Sequence, residues 1–298
     1  MTAVVSRSRL VPLCLWVWYL SLSYLWVGLM FLLFIHQATP FLWCGLPASV
    51  IFWRLAKTLS PGSFGTFGKW AVHFLCALLL IGGQVLIWRY GYFFRDPERE
   101  IPSRPAILAP ADGFVVYIRP VSGGTVPLAV KNKVPIRLEE IFKMESPLGD
   151  SVIVGIFMTP MSVHVNRSPI NGVIRDRAYF AGEPMRSMLP MGLRTMFSRR
   201  PFEVGSEHIL RNERETLLIR GDFPVLMTRI ADPFVNKIVT WKTTGDAVRQ
   251  GERLGLIKMG SQTDLVFPSR KDGKPVRVYV KEGQYVYAGT TILASFDE

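Results

Sequence analysis

The chain has 298 residues, is 49% hydrophobic and carries a net charge of +12. A basic excess suits nucleic acid, anionic lipid or an anionic substrate; no nucleic-acid motif is present, and an apolar, acid-poor N-terminal third favours lipid, so no nucleic-acid partner is expected. All three cysteines (Cys14, Cys44, Cys76) lie in that third, which excludes a disulfide framework and cysteine metal sites from the remainder, and no metal is expected.

Residues 1–96 hold seven Lys or Arg and one acid, Asp96. Leu10 to Ile35 runs 26 residues without a charge, long enough to cross a bilayer and too long for the apolar part of a signal peptide. Trp16, Trp18, Tyr19, Tyr24 and Trp26 are its interface anchors or packing residues. Ala71 to Trp88 is a second uncharged run of 18 residues, in which Gly82-Gly83 would let another helix approach closely. Phe41 to Trp53, broken by Gly45 and Pro47, reads as interfacial or re-entrant. Ser60 to Gly68 reads as a breaker loop. Spans at about 10–35 and 71–88 put both chain ends on one side of the membrane. Arg7, Arg9, Arg89 and Arg95 make that side cytoplasmic, at the cell (inner) membrane. Arg54, Lys57 and Lys69 fall in the opposite loop, so a three-span arrangement stays open.

Tyr92-Phe93-Phe94-Arg95-Asp96-Pro97 reads as interfacial aromatics and a turn that close the membrane section. Further on, Asp112-Gly113 is a turn signal ahead of a strand-like run, which sets Asp112 at a sharp bend before a buried strand. Residues 152–158 read as a buried strand leading into Thr159 to Arg167. Of the four histidines, His36 and His73 belong to the apolar third and His208 to a charged stretch. His164 is therefore the imidazole placed to act as base or acid. Phe180 to Pro201, rich in Arg, Met, Gly and Pro, reads as a mobile loop that would touch a membrane surface or an anionic ligand. Strands are expected at 215–220, 225–231 and 238–241.

Gly245-Asp246-Ala247-Val248-Arg249-Gln250-Gly251 and Gly283-Gln284-Tyr285-Val286-Tyr287-Ala288-Gly289 share one pattern, each ahead of an apolar strand. Helical periodicity is scarce after residue 100. The expected architecture is a mainly β (β-rich α+β) soluble domain. Its core would be a quasi-symmetric β-sandwich of the lipoyl/biotinyl-hammerhead kind, preceded by transmembrane helices. Between Leu254 to Ile257 and Leu265 to Phe267 stands Gly260-Ser261: strand, tight step, strand. Taken alone the pair is a turn. A Gly before a Ser also lets the backbone take a strained conformation and exposes a carbonyl to the Ser hydroxyl.

Phe94-Arg95-Asp96-Pro97, Pro110-Ala111-Asp112-Gly113, Ile156-Phe157-Met158 with Val163-His164-Val165-Asn166-Arg167-Ser168-Pro169, Asn212-Glu213-Arg214 and Gly260-Ser261 stand in an order that resembles the phosphatidylserine decarboxylase family. The resemblance is closest to its short branch, which includes archaetidylserine decarboxylases, and covers roughly residues 93–298. It implies a membrane-anchoring region over 1–92 and a decarboxylase domain over 93–298. It further implies a proenzyme that cuts itself between Gly260 and Ser261 into a β chain, 1–260, and an α chain, 261–298. The family's Asp, His and Ser triad falls on Asp112, His164 and Ser261, and Ser261 would become the covalent pyruvoyl cofactor. In that scheme His164 takes the proton from Ser261 Oγ, Asp112 orients the imidazole, and Oγ attacks the Gly260 carbonyl. The pyruvoyl ketone then forms a Schiff base with the serine amine of the lipid and accepts the electrons released with carbon dioxide. The implied partners are an anionic serine phospholipid, the membrane, the chain's own α and β pieces, and further copies in a homo-oligomer.

Two departures stand out. The long-form bacterial enzymes carry a second His where this chain has Arg167. Arg167 and its neighbour Asn166 are then candidates to bind the substrate carboxylate or phosphate. Gln262 replaces the small residue that commonly follows the Ser. Two rival readings stand beside the enzyme. In a biotinyl or lipoyl carrier, Lys258 of Ile257-Lys258-Met259 would need an exposed hairpin tip. An uncleaved membrane-anchored β-sandwich adaptor would keep the fold without the cut. A 38-residue fragment with a blocked first residue separates the enzyme from both.

Overall fold

A computed structural model describes residues 16–21, 47–59, 65–130, 135–233, 238–258 and 260–296. The chain divides into two compact units between Phe93 and Phe94.

In the first unit, residues 16–21 and 47–59 are helical. Helix α1 (Thr66–Leu86) continues as a π-helix over Ile87–Phe93. Phe67–Phe93 is thus one helix of 27 residues, long and apolar enough to cross a membrane. It outruns the expected 71–88 at both ends. Phe67 and Trp70 prolong the apolar run before Ala71, and no proline interrupts the chain before Pro97. Tyr19, Ala56, Cys76, Ala77 and Leu80 form a small buried cluster, and Tyr19 Oη donates to the His73 carbonyl at 2.7 Å. Phe67, Trp70, Phe74, Leu75, Leu78 and Leu79 stay exposed. Among the described residues, a Cβ on Gly82 or Gly83 would meet nothing within 4 Å. The expected span over 10–35 lies mostly outside the described residues.

The second unit is mainly β. Eight strands form one curled antiparallel sheet. They are β1 (Gly113–Val121), β2 (Ser151–Met158), β3 (Gly172–Phe180), β4 (Arg214–Arg220), β5 (Pro224–Ala231), β6 (Ala247–Val248), β7 (Ser261–Pro268) and β8 (Tyr285–Val286). Across the sheet they run β6-β3-β4-β5-β7-β2-β1-β8. One three-stranded sheet joins Ile107–Leu108, Ile292–Ser295 and Arg277–Val278; another joins Ile238–Thr240, Arg253–Ile257 and Val165–Arg167. Val115, Ile156, Met158, Met227 and Leu265 of the large sheet share one core with Ile107, Leu254, Ile257 and Leu293 of the small ones. Burying this surface is the main term that holds the unit together. Short helices lie between strands: α2 (Leu138–Phe142), α3 (Leu189–Met196) and α4 (His208–Arg211). The loop expected over 180–201 therefore contains a helix. Pro190 sits in its first turn, where a missing N–H costs nothing.

The two glycine-bounded repeats occupy opposite edges of the sheet. Ala247 and Val248 pair with Val173 and Gly172, and Tyr285 and Val286 pair with Phe114 and Gly113. Their glycines, 245, 251, 283 and 289, all have φ between +76 and +95, a region open to glycine. The bonds around them recur in pairs. Val115 N–H donates to Gln284 O at 2.9 Å, as Ile174 N–H does to Asp246 O at 3.0 Å. Gly289 N–H donates to Ala109 O and Gly251 N–H to Ser168 O, both at 2.8 Å. Arg167 N–H to Pro110 O and Leu108 N–H to Pro169 O, both 2.9 Å, tie the two halves to each other. Pro110-Ala111-Asp112-Gly113 is thereby matched to Pro169-Ile170-Asn171-Gly172. The curl brings the edges together: a Cβ on Gly289 would lie 3.6 Å from Gly251 Cα, with Ile101 packed against both.

Candidate active site

Ser261 opens β7 at the middle of the sheet, paired with Met158 of β2 and Ala231 of β5. The step before it is not a hairpin. Arg253–Ile257 and β7 belong to different sheets, and Gly260 carries the chain from one to the other. Gly260 has φ +56, and its carbonyl accepts the Asp232 N–H at 2.8 Å. A Cβ at Gly260 would collide with the Asp232 side chain. Ser261 is fully buried, and its Oγ has no hydrogen-bond partner among the described residues. A buried hydroxyl normally finds one, so this atom marks the place where a reacting group is to be sought.

His164 reaches the same neighbourhood from the end of β2. After Met158 the chain turns, with Ser162 N–H donating to Thr159 O at 2.9 Å. Ile257 N–H then donates to the His164 carbonyl at 3.2 Å, which joins this segment to the strand before Gly260. The ring is buried, and its Nδ1 lies 2.9 Å from Ser162 O. A carbonyl only accepts, so Nδ1 carries the proton and Nε2 the lone pair. Burial pushes the imidazole down to about 3; the Ser162 hydrogen bond opposes this, and the positive charge of Arg95 adds to it. The ring is therefore neutral at neutral pH. Arg95 is fixed by donating to Met161 O at 2.7 Å, so the Arg-Asp-Pro turn belongs to the site's frame.

The Asp112 turn is registered beside this segment. With Pro110 bonded to Arg167 and Leu108 to Pro169, two further residues bring Asp112 level with Val165. Its carboxylate is held by Arg99, at 2.8 and 2.9 Å, and by Ala288 N–H at 2.7 Å. Asn171, its counterpart in the other half, accepts Gln250 N–H at 2.8 Å. The bonds of Asp112 thus run to Arg99 and Ala288, and the imidazole takes its orientation from Ser162 O.

Arg167 bonds Asp96 at 2.9 Å, Gly251 O at 3.1 Å and Pro97 O at 3.3 Å, and Asp96 also pairs with Arg253. Its guanidinium is therefore occupied within the fold. Asn166 is buried, donates to Thr263 Oγ1 at 3.4 Å, and has an Oδ1 without a partner among the described residues. Lys258 is half-buried beside Gly260, unlike the exposed hairpin tip that a carrier lysine needs. Among the described residues no cluster of three His, Cys, Asp or Glu could hold a metal ion.

Sequence reasoning missed Asp232 and the clamp behind it. Asp232 Oδ2 accepts the Met188 N–H at 2.9 Å. Asn212 bonds Ala231 O at 2.8 Å and both backbone groups of Arg186, at 2.6 and 2.8 Å. The Asn212-Glu213-Arg214 motif was the available signal. Arg214 donates to the carbonyls of His208, Ile209 and Asn212 that end α4. On the other side of β7, Gln262 accepts from or donates to His208 (2.8 Å), Tyr117 (2.9 Å) and Asp264 (2.7 Å). A larger polar residue after the Ser is thus built into a buried network.

A mainly β unit with a buried serine hydroxyl that lacks a partner among the described residues, at the head of a central strand, and a buried neutral histidine on a segment bonded to the preceding strand has the build of an enzyme. The phosphatidylserine decarboxylase family matches residues 87–294. "Phosphatidylserine decarboxylase proenzyme" of Chlorobium phaeobacteroides is 32% identical over 75% of this chain and 88% of its own length. The proteins of the same name from Azorhizobium caulinodans and Solibacter usitatus are each 34% identical, over 77% and 68% of this chain and 82% and 76% of their own. The chain belongs to the phosphatidylserine decarboxylase family, whose members are carboxy-lyases.

Proposed function

We propose that this chain is a membrane-bound decarboxylase that converts phosphatidylserine to phosphatidylethanolamine and carbon dioxide, after cutting itself between Gly260 and Ser261. The observation that carries the cut is the unpartnered, fully buried Ser261 Oγ beside a carbonyl already held by the Asp232 amide.

Neutral His164 takes the Oγ proton at Nε2 as Oγ bonds to the Gly260 carbonyl carbon. The oxygen of that carbonyl gains charge, and the Asp232 N–H, 2.8 Å away, stabilises it. The proton passes to the departing Ser261 nitrogen, which leaves an ester. Loss of the Ser261 α-proton expels the Gly260 carboxylate, and water releases ammonia from the resulting dehydroalanine. The residues fit the pyruvoyl group this makes: buried Asn166 Oδ1 is a spare acceptor for the substrate amine, and Thr263 lies beside it. The group supplies an electron sink for the carbon–carbon bond that breaks. His164 is also our candidate for returning a proton to the α-carbon. Asp112, locked to Arg99, fixes the turn packed against the His164 segment, and Arg167 pins Asp96 and the 251 turn as part of the frame.

We read residues 1–92 as the membrane-anchoring region and 93–298 as the decarboxylase domain, with β chain 1–260 and α chain 261–298. The contact division after Phe93 and the apolar helix ending there support this. The paired edge repeats support a hammerhead-like core of the lipoyl/biotinyl kind. The test is direct. The purified chain yields a 38-residue fragment with a blocked N-terminus and releases carbon dioxide from phosphatidylserine. Ser261→Ala stays at full length and releases none. A wild-type chain that remains intact, yet is folded, removes the proposal.

A further inference from the structure

Helix α3 has two unlike sides. Met188, Met191 and Thr195 are buried, and Gly192 lies against Phe157, where a Cβ would be 3.4 Å from the ring. The Met188 N–H that precedes the helix holds the Asp232 carboxylate at 2.9 Å, so this side is bonded to the residue behind Gly260. Outward, Leu189, Leu193 and Phe197 follow one another at helical spacing and are 57%, 38% and 60% exposed. Between Glu183 and Glu203 the sequence has four arginines and no acid. Arg199 lies over the Phe197 ring at 5.7 Å, Arg194 donates to Pro201 O at 2.8 Å, and Arg200 to Glu282 O at 2.5 Å. None of these three pairs with a carboxylate among the described residues, so their charge is uncompensated.

We propose that α3 is a bilayer-docking helix, whose Leu189-Leu193-Phe197 stripe enters the headgroup boundary of an anionic phospholipid membrane while Arg194, Arg199 and Arg200 meet its phosphates. Apolar side chains ringed by arginine, on a helix lying flat on the protein, match such a boundary. A second copy of this chain would set the same arginines against each other in a self-complementary contact. The proposal rests on the lipid-decarboxylase reading for its purpose: the helix that braces Asp232 also seats the site where its substrate lies.

Two measurements on the full-length chain in nanodiscs test it. In a chain with Cys14, Cys44 and Cys76 changed to serine, a bimane label on Leu193→Cys is quenched by brominated phosphatidylserine, and a label on Arg270→Cys is not. Equal quenching at both positions, or none at 193, overturns the proposal whether or not the chain is an enzyme. In the second, Leu193→Asp/Phe197→Asp lowers decarboxylation of bilayer phosphatidylserine at least tenfold but leaves turnover of monomeric dihexanoyl phosphatidylserine unchanged. Equal losses on both substrates would mean a damaged site and sink the idea. So would a wild-type dimer that the double variant splits. No turnover of either substrate by wild type refutes the decarboxylase reading instead, and the quenching result then stands alone.

Discussion

Gly260 and Asp232 define what a single side chain can and cannot do at this site. A methyl group at 260 must push Asp232 aside and adopt a φ of +56, which breaks the 2.8 Å bond to the Gly260 carbonyl, the proposed point of attack. Loss of one such donor typically slows the step about a hundredfold or more. Gly260→Ala is therefore expected to fold and to cut at least about a hundredfold more slowly, read as fragment yield against time on a denaturing gel. Ser261, His164 and Asp112, the proposed catalytic residues, drew attention in the sequence because each is a rare or reactive residue at a strand end. Asp232 was not, because its contribution to the carbonyl is a backbone N–H that every residue but proline owns. Arg99 was hidden for another reason: the carboxylate it holds was already assigned to the histidine.

At the scale of one strand, β7 opens on Ser261 on one side and carries a buried polar network on the other. Asp264 sits in that network, and burial raises its carboxyl from 3.8 to about 6, against the opposing hydrogen bond from Gln262. A folded-state value above the unfolded one favours the fold at acid pH, and that advantage disappears as pH rises to about 6. Above that the buried charge costs about 3 kcal/mol. Asp264→Asn keeps the acceptor for Gln262, so its melting temperature at pH 8 should match or exceed wild type. The wild-type fall in stability between about pH 4 and 6 should vanish; a variant with the same pH slope would rule this out. The strands were readable from their apolar runs, and the glycine repeats marked both sheet edges. The matching of the Asp112 turn to the Asn171 turn was not readable, since only the hydrogen bonds align Pro110 with Pro169. Helix α3 was missed because Pro190 and Gly192, breakers by composition, are tolerated in its first turn and at its packed side.

In the whole molecule, the bond proposed to be cut lies at the head of a central strand. β7 stays hydrogen-bonded to β2 and β5, β8 to β1, and Ile292–Ser295 to Ile107–Leu108 after any break at residue 260. The two pieces are therefore expected to run apart in denaturant and together in native size-exclusion chromatography. Separation under native conditions would contradict this topology. The apolar helix ending at Phe93 was visible as hydropathy, whereas its continuation through Arg89 and Gly91 as a π-helix was not.

The depth of Ser261 has a temporal meaning. In the uncut chain its hydroxyl is buried beyond any external protease, and the strands that pair with it come from distant parts of the chain, at Met158 and Ala231. No nascent or misfolded copy holds that geometry. On the proposed self-cleavage, the electrophile would be installed only after tertiary structure is complete, and every copy that carries it would have passed through the native state. Full-length wild-type material in a preparation would then be a census of molecules that never folded, read by mass alone.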